Sequence, residues 1–96
     1  MGVLFTADAL RQFKKLPEAV RPAIKEAIRK QLIEADPEET TRNKFRLRRP
    51  SEHADYELRA GDWRIFYRVE RDNVLVTLLG EKRGEKLFVD GREVDL

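Results

Sequence analysis

No cysteine occurs in this chain, which excludes a disulfide framework, a thiolate zinc site and a thiol nucleophile. Histidine appears once, as His53, and no set of carboxylates shows ligand spacing, so the sequence offers no metal site and calls for no cofactor. No stretch approaches the ~20 consecutive apolar residues of a membrane span, and the first residues lack the charged-then-apolar pattern of a secretory leader. The expectation is a cytoplasmic protein with no membrane partner. Neither internal repeats nor low-complexity tracts interrupt the sequence.

What is present fits one small soluble domain spanning residues 1–96, with 41% hydrophobic and 40% charged residues. Twenty Lys and Arg oppose eighteen Asp and Glu, a net charge of +2, so bulk electrostatics alone do not announce a nucleic-acid binder. The distribution says more. Arg42, Lys44, Arg46, Arg48 and Arg49 crowd into eight residues without an acid, whereas the acids of the first half concentrate between Glu18 and Glu39. If residues 44–48 form a strand, alternation sends Phe45 and Leu47 to the core and Lys44, Arg46 and Arg48 to the opposite face.

The pattern of elements is α+β. Val3-Leu4-Phe5 reads as a first strand and Thr6 as the N-cap of a short helix carrying Ala9, Leu10, Phe13 and Leu16 on one stripe. Val20, Ile24, Ile28 and Leu32 recur every four residues in a second helix. It starts near Glu18 or Ala19, which keeps Pro22 within the first turn, and ends before Asp36-Pro37. The two helices form a hairpin that covers one face of a mostly antiparallel twisted sheet. Residues 38–43 are a polar connection, and 49–54 form a loop holding Pro50 and His53. Asp72-Asn73 makes a tight turn into Val74–Leu79, a central strand apolar on both faces. Gly80 to Lys86 reads as a loop. A last hairpin joins Leu87–Val89 to Arg92–Val94 through Asp90-Gly91.

The densest information lies in residues 56–69. Gly61-Asp62 has glycine where a two-residue hairpin turn needs positive φ. Counting outward sets Ala60 against Trp63, Arg59 against Arg64, Leu58 against Ile65, Glu57 against Phe66, Tyr56 against Tyr67 and Asp55 against Arg68. Tyr56, Leu58, Ile65, Tyr67 and Val69 then share an apolar face, and Arg59, Arg64 and Arg68 share the other. Like charges directly opposite cost about 0.2–1 kcal/mol, which suggests that a bound anion rewards the arrangement. The plainer alternative is that Glu57 and Asp55 neutralise these arginines on an ordinary solvated face. With Arg46 and Arg48 added, the sheet would carry a cationic floor suited to phosphate oxygens, with Phe66 as a stacking surface for a base.

The helical hairpin, the segment Tyr56–Val69 and the following Leu79-Gly80-Glu81-Lys82-Arg83 together resemble the RelE/ParE superfamily of toxins from toxin–antitoxin systems. The resemblance covers essentially the whole chain. It implies a RelE-like α+β fold and a small toxin inhibited by a cognate antitoxin. Some members cleave messenger RNA on the ribosome, and others inhibit DNA gyrase. By resemblance, Arg64 matches the sheet arginine at the scissile phosphate and Arg83 the later arginine that stabilises the transition state.

A metal-independent endoribonuclease inhibiting translation is therefore the expected activity, with gyrase inhibition or an inactive protein-binding relative as alternatives. Cleavage by a 2′-hydroxyl needs a base, cations at the phosphorus oxygens and a donor for the leaving oxygen. Glu57 is the candidate base, beside Arg64, and Lys82 or a water the donor. Arg46, Arg48, Arg59, Arg68 and Lys82 are expected to bind RNA. The chain departs from nuclease members where they carry lysines, here Asp55 and Glu57, and where they place a C-terminal tyrosine or histidine, here Phe88, which has no proton to transfer.

Overall fold

The computed structural model describes residues 2–49 and 51–95; Pro50 of the expected loop lies outside the described residues. Seven strands among them form one sheet: β1 (Gly2–Phe5), β2 (Lys44–Arg46), β3 (Tyr56–Ala60), β4 (Trp63–Glu70), β5 (Asn73–Arg83), β6 (Lys86–Val89) and β7 (Arg92–Val94). Helices α1 (Ala7–Lys15) and α2 (Arg21–Ile28) lie between β1 and β2. The order β2-β3-β4-β5-β6-β7 is antiparallel throughout, and β1 joins the first half of β5 in parallel. This is the expected α+β architecture, with β5 central as its two-sided apolarity requires.

Local chemistry sets the helix ends. The Thr6 hydroxyl accepts from the Ala9 amide at 3.1 Å and begins α1. Pro22 sits in the first turn of α2, where a missing amide leaves no bond unmade. The α2 start is Arg21, two to three residues later than expected, because Val20 and Arg21 turn back onto the Pro17 carbonyl. Its guanidinium in turn donates to the Leu16 and Lys14 carbonyls that end α1, fastening the helical hairpin. After Ile28 the chain widens into a π-helical turn over Arg29–Ile33, in which the Glu34 amide bonds to the Arg29 carbonyl.

The hairpin register of β3 and β4 is the one counted from Gly61-Asp62, with Arg59 opposite Arg64 and Gly61 at φ +62°. Tyr56, Leu58, Ile65 and Tyr67 are buried under the helices with Ala9, Ile24, Ile28, Leu32, Val74, Val76 and Leu79. The Tyr67 hydroxyl donates to the Pro37 carbonyl at 2.6 Å, and its ring stacks on Tyr56 at 5.3 Å. Gln12 accepts the Leu79 amide from α1 at 2.8 Å, tying the helix to β5.

Four expectations need correction. The turn before β5 is Arg71-Asp72, with Arg71 at φ +54°, one residue earlier than expected. The Gly80–Lys86 segment is not a loop: β5 runs on to Arg83 and returns at Lys86 after a turn at Gly84. Third, β2 faces the other way. Lys44 pairs with Leu58 and Arg46 with Tyr56, which puts both on the helix side, while Phe45 pairs with Glu57 on the arginine side. The cause is a buried cap: Lys44 is fully enclosed, and its ammonium donates to the Gln31 and Asp36 carbonyls, each at 2.7 Å. Those are carbonyls at the end of the helical region, where a cation is favoured. Burial pushes the Lys44 pKa down, with the Glu39 and Asp36 carboxylates partly opposing.

The fourth correction concerns the supposed cationic floor. That face carries a second apolar cluster of Ala54, Phe66, Leu87 and Val89, joined by Leu47, Leu78 and Val94, because the β6–β7 hairpin folds over it. Phe66 is 2% exposed and cannot serve as an open stacking platform. Gly80 permits the approach: a Cβ there would lie 2.8 Å from Leu87 Cδ1 and 3.0 Å from the Phe88 carbonyl oxygen.

Candidate functional site

One extra residue in β5 decides which side chains meet Arg64. Tyr67 pairs with Val76 and Phe66 with Leu78, leaving Thr77 as a bulge whose hydroxyl reaches the Phe66 carbonyl at 3.3 Å. Before the bulge Val74 and Val76 face the helices; after it Leu79, Glu81 and Arg83 do, while Leu78, Gly80 and Lys82 face the arginine side. A shift of one residue inverts every later side chain.

The consequence is that Lys82, not Arg83, joins Arg64. Both line a cleft of about 370 Å³ with Glu57, Phe66, Leu47, Leu87 and the hairpin residues Glu85, Lys86, Glu93, Val94 and Asp95. Arg83 points to the opposite face, over the Phe88 ring at 4.7 Å and bonded to Glu81 at 2.8 Å. There it borders a separate cavity of about 260 Å³ between α1 and the sheet, with Trp63, Lys15 and Phe88. Arg83 therefore does not stand beside Arg64 as the resemblance implies for a pair acting on one phosphate.

Within the cleft, Glu57 stands between the two facing arginines, its Oε2 3.4 Å from Arg59 Nε and 3.5 Å from Arg64 Nε. Neutralisation by Glu57, the plainer alternative, is thus what the geometry shows for the like-charge pair. The Arg64 side chain is only 13% exposed and donates from one Nη to the carbonyls of Gly61 at 2.8 Å and Trp63 at 2.9 Å. Burial lowers the Arg64 pKa, with Glu57 opposing and Arg59 reinforcing the shift; guanidinium basicity leaves the group charged at neutral pH. The cleft lining holds three cations, Arg64, Lys82 and Lys86, and four carboxylates, Glu57, Glu85, Glu93 and Asp95. The strand side contributes Arg64, Lys82 and Glu57, and the terminal hairpin brings most of the acids.

The other expected RNA contacts scatter. Arg59 is half exposed on the arginine face, stacked over Phe45 at 4.9 Å. Arg68 shares that face but donates to the Ser51 and Glu52 carbonyls, pinning the loop before β3, and its Nε is buried without a partner. Arg46 lies on the Tyr56 ring across the sheet, and Arg48 lies beyond the end of β2. His53 is exposed in its loop, away from the cleft lining. Phe88 shares the face of Arg83, so neither residue supplies a proton donor beside Arg64. Among the described residues no grouping of His, Asp or Glu has the form of a metal site, and no helix is long and apolar enough to cross a membrane.

A long central strand crossed by a charged hairpin, with two helices packed on the far face, is an architecture shared with a solved bacterial toxin. The protein in the crystal structure of the RelBE2 toxin–antitoxin complex from Mycobacterium tuberculosis superposes with a TM-score of 0.68 at 25% identity, over 84% of this chain and 90% of that one. No curated protein matches the chain in sequence. The family model described as the ParE toxin of the type II toxin–antitoxin system parDE matches residues 3–84. The chain belongs to this family, within the RelE/ParE superfamily, and is a toxin of a type II toxin–antitoxin system.

Proposed function

We propose that this toxin is a metal-independent endoribonuclease that cleaves messenger RNA on the ribosome. The observation that supports it best is the presence of Arg64, Lys82 and Glu57 side by side in one open cleft. In this reading the Glu57 carboxylate takes the proton of a 2′-hydroxyl as its oxygen bonds to the adjacent phosphorus. Arg64 holds the negative charge that grows on the phosphoryl oxygens, and Lys82 protonates the departing 5′-oxygen. The products are a 2′,3′-cyclic phosphate and a 5′-hydroxyl. Arg59, 3.4 Å from the Glu57 Oε2, helps to hold that carboxylate in place.

Arg64→Ala should abolish growth arrest on induction while circular dichroism shows the fold retained. Full toxicity of that variant would refute the assignment. A second reading is inhibition of DNA gyrase, favoured by the ParE family match and by the lack of histidine or tyrosine among the described residues of the cleft. Mapping transcript ends after induction separates the two: new 5′-hydroxyl ends support cleavage, whereas intact transcripts with DNA-damage signalling support gyrase.

The partner that restrains the toxin is a cognate antitoxin, as in the solved relative, acting in the cytoplasm on one domain spanning residues 1–96. An amphipathic antitoxin segment has an apolar surface to cover: Leu4, Leu10 and Ile33 are exposed, and Val3, Phe5, Leu10, Phe13 and Ile28 line a shallow groove of about 220 Å³ beside Lys25. Toxicity persisting in the saturated complex would refute this mode of restraint.

A further inference from the structure

The arginines divide by what answers their charge. Arg11, Arg29, Arg59, Arg64 and Arg83 meet carboxylates, and Arg21 and Arg68 donate to backbone carbonyls. Among the described residues Arg42, Arg48, Arg49, Arg71 and Arg92 have neither, and Arg46 meets the Tyr56 hydroxyl at 3.3 Å and the Tyr56 ring. All six are exposed, but only those of the segment before β3 cluster in one place. Arg46, Arg48 and Arg49 line a concavity of about 150 Å³ completed by Leu47, Ala54 and Asp55, so its lining holds three arginines and one acidic residue.

Edge strands often carry cations that discourage another strand from pairing. That role needs charge on the strand itself, and Arg42, Arg48 and Arg49 lie outside β2. A protein-docking surface would present apolar side chains at its centre, but the exposed large hydrophobics, Leu4, Leu10 and Ile33, belong to β1, α1 and the π-helical turn. Guanidinium groups around a concave seat suit phosphate, which takes paired N–H bonds. Leu47 borders both this concavity and the Arg64–Lys82 cleft, so a strand occupying one passes beside the other.

We propose that Arg46, Arg48 and Arg49 form a sequence-independent seat for the sugar–phosphate backbone of a nucleic acid, distinct from the cleft. This rests on the nucleic-acid part of the functional reading and adds an anchor outside the reacting bond.

The test is binding of a fluorescein-labelled, non-cleavable single-stranded 2′-O-methyl RNA over a salt series. Arg48→Gln/Arg49→Gln should weaken binding roughly five- to tenfold and flatten the log–log salt slope by about 1.4, at about 0.7 per lost phosphate contact. Arg71→Gln/Arg92→Gln, which removes the same charge from exposed turn and hairpin positions, should change affinity less than about twofold. Equal losses in the two double variants, or no binding by the unaltered protein, would overturn the seat. So would a loss confined to a poly-glutamate probe, which would assign the patch to an acidic protein partner. Patch-dependent binding without cleavage of ribosome-bound message would sink the nuclease reading and leave the seat standing.

Discussion

The two faces of the sheet use the same strands for different ends. Under the helices, Leu58, Ile65, Tyr67, Val74 and Val76 are sealed, and the buried polar groups there, Lys44, Gln12 and the Tyr67 hydroxyl, each reach a backbone partner. On the other face a smaller apolar cluster is roofed by one hairpin, and beside it charged groups crowd a cleft that stays open. The first face holds the fold together, and the second has the incomplete burial that a binding site needs. The same leucine-to-alanine change on each face measures the difference. Leu58→Ala, in a site with no exposure, should cost about 3–5 kcal/mol, whereas Leu87→Ala, at the lip of the cleft, should cost about 2 kcal/mol or less, because its surroundings can relax. Equal losses by chemical denaturation would show that the hairpin is as integral to the core as the helices.

Adjacent residues test the faces chemically. On the proposed nuclease reading, Lys82→Ala lowers cleavage about 10²-fold, the usual loss when a charge-stabilising donor is removed, and Arg83→Ala by less than about twofold. The reverse ranking would mean that the bulge at Thr77 does not persist in the working protein.

That bulge marks where the sequence stops being readable. The Gly61-Asp62 turn, the Thr6 cap and the helical spacing of Ile24 and Ile28 all depend on neighbours along the chain and appear as the residues imply, although the helix starts only at Arg21 and Leu32 falls in the π-helical turn. Thr77 is different. Val74–Leu79 has apolar residues on both faces and no charged one, so alternation does not report the slip at Thr77, and the direction of Lys82 and Arg83 depends on it. Lys44 misleads for a related reason. Alternation in Lys44-Phe45-Arg46-Leu47-Arg48 argues for buried Phe45, but the Gln31 and Asp36 carbonyls, outside the strand and invisible to its alternation, claim the lysine instead. Glu57 was legible in the hairpin register as the neutraliser of its arginines.

Gly80→Ala probes how closely the hairpin is pressed onto the sheet. The added methyl meets a backbone oxygen as well as two side chains, so something must shift, and a loss of about 1–3 kcal/mol is expected. Toxicity should fall with it, since the displaced hairpin also lines the cleft. Unchanged stability would mean that β6 rides higher over β5 than the close approach at Gly80 indicates.

Alkaline titration isolates the sealed face. Burial, reinforced by Tyr56 and the Asp36 and Glu38 carboxylates, raises the Tyr67 pKa above its ordinary value of 10.0. The folded protein therefore holds the phenol proton at a pH where the unfolded chain has released it. The associated stability is complete below pH 10 and declines as pH climbs through the unfolded value toward the folded one. Lys44 acts in the opposite sense: its lowered pKa means that the unfolded chain holds the extra proton below 10.5, so its contribution to stability grows as pH rises in that range. In Tyr67→Phe the alkaline decline should vanish, leaving only the upward influence of Lys44. At neutral pH the variant should lose about 1 kcal/mol, the typical net worth of one hydrogen bond together with the Pro37 carbonyl left unpaired. If thermal melts of both proteins fall in parallel above pH 10, the phenol is not sealed, and the helix-covered face is wetter than its burial implies.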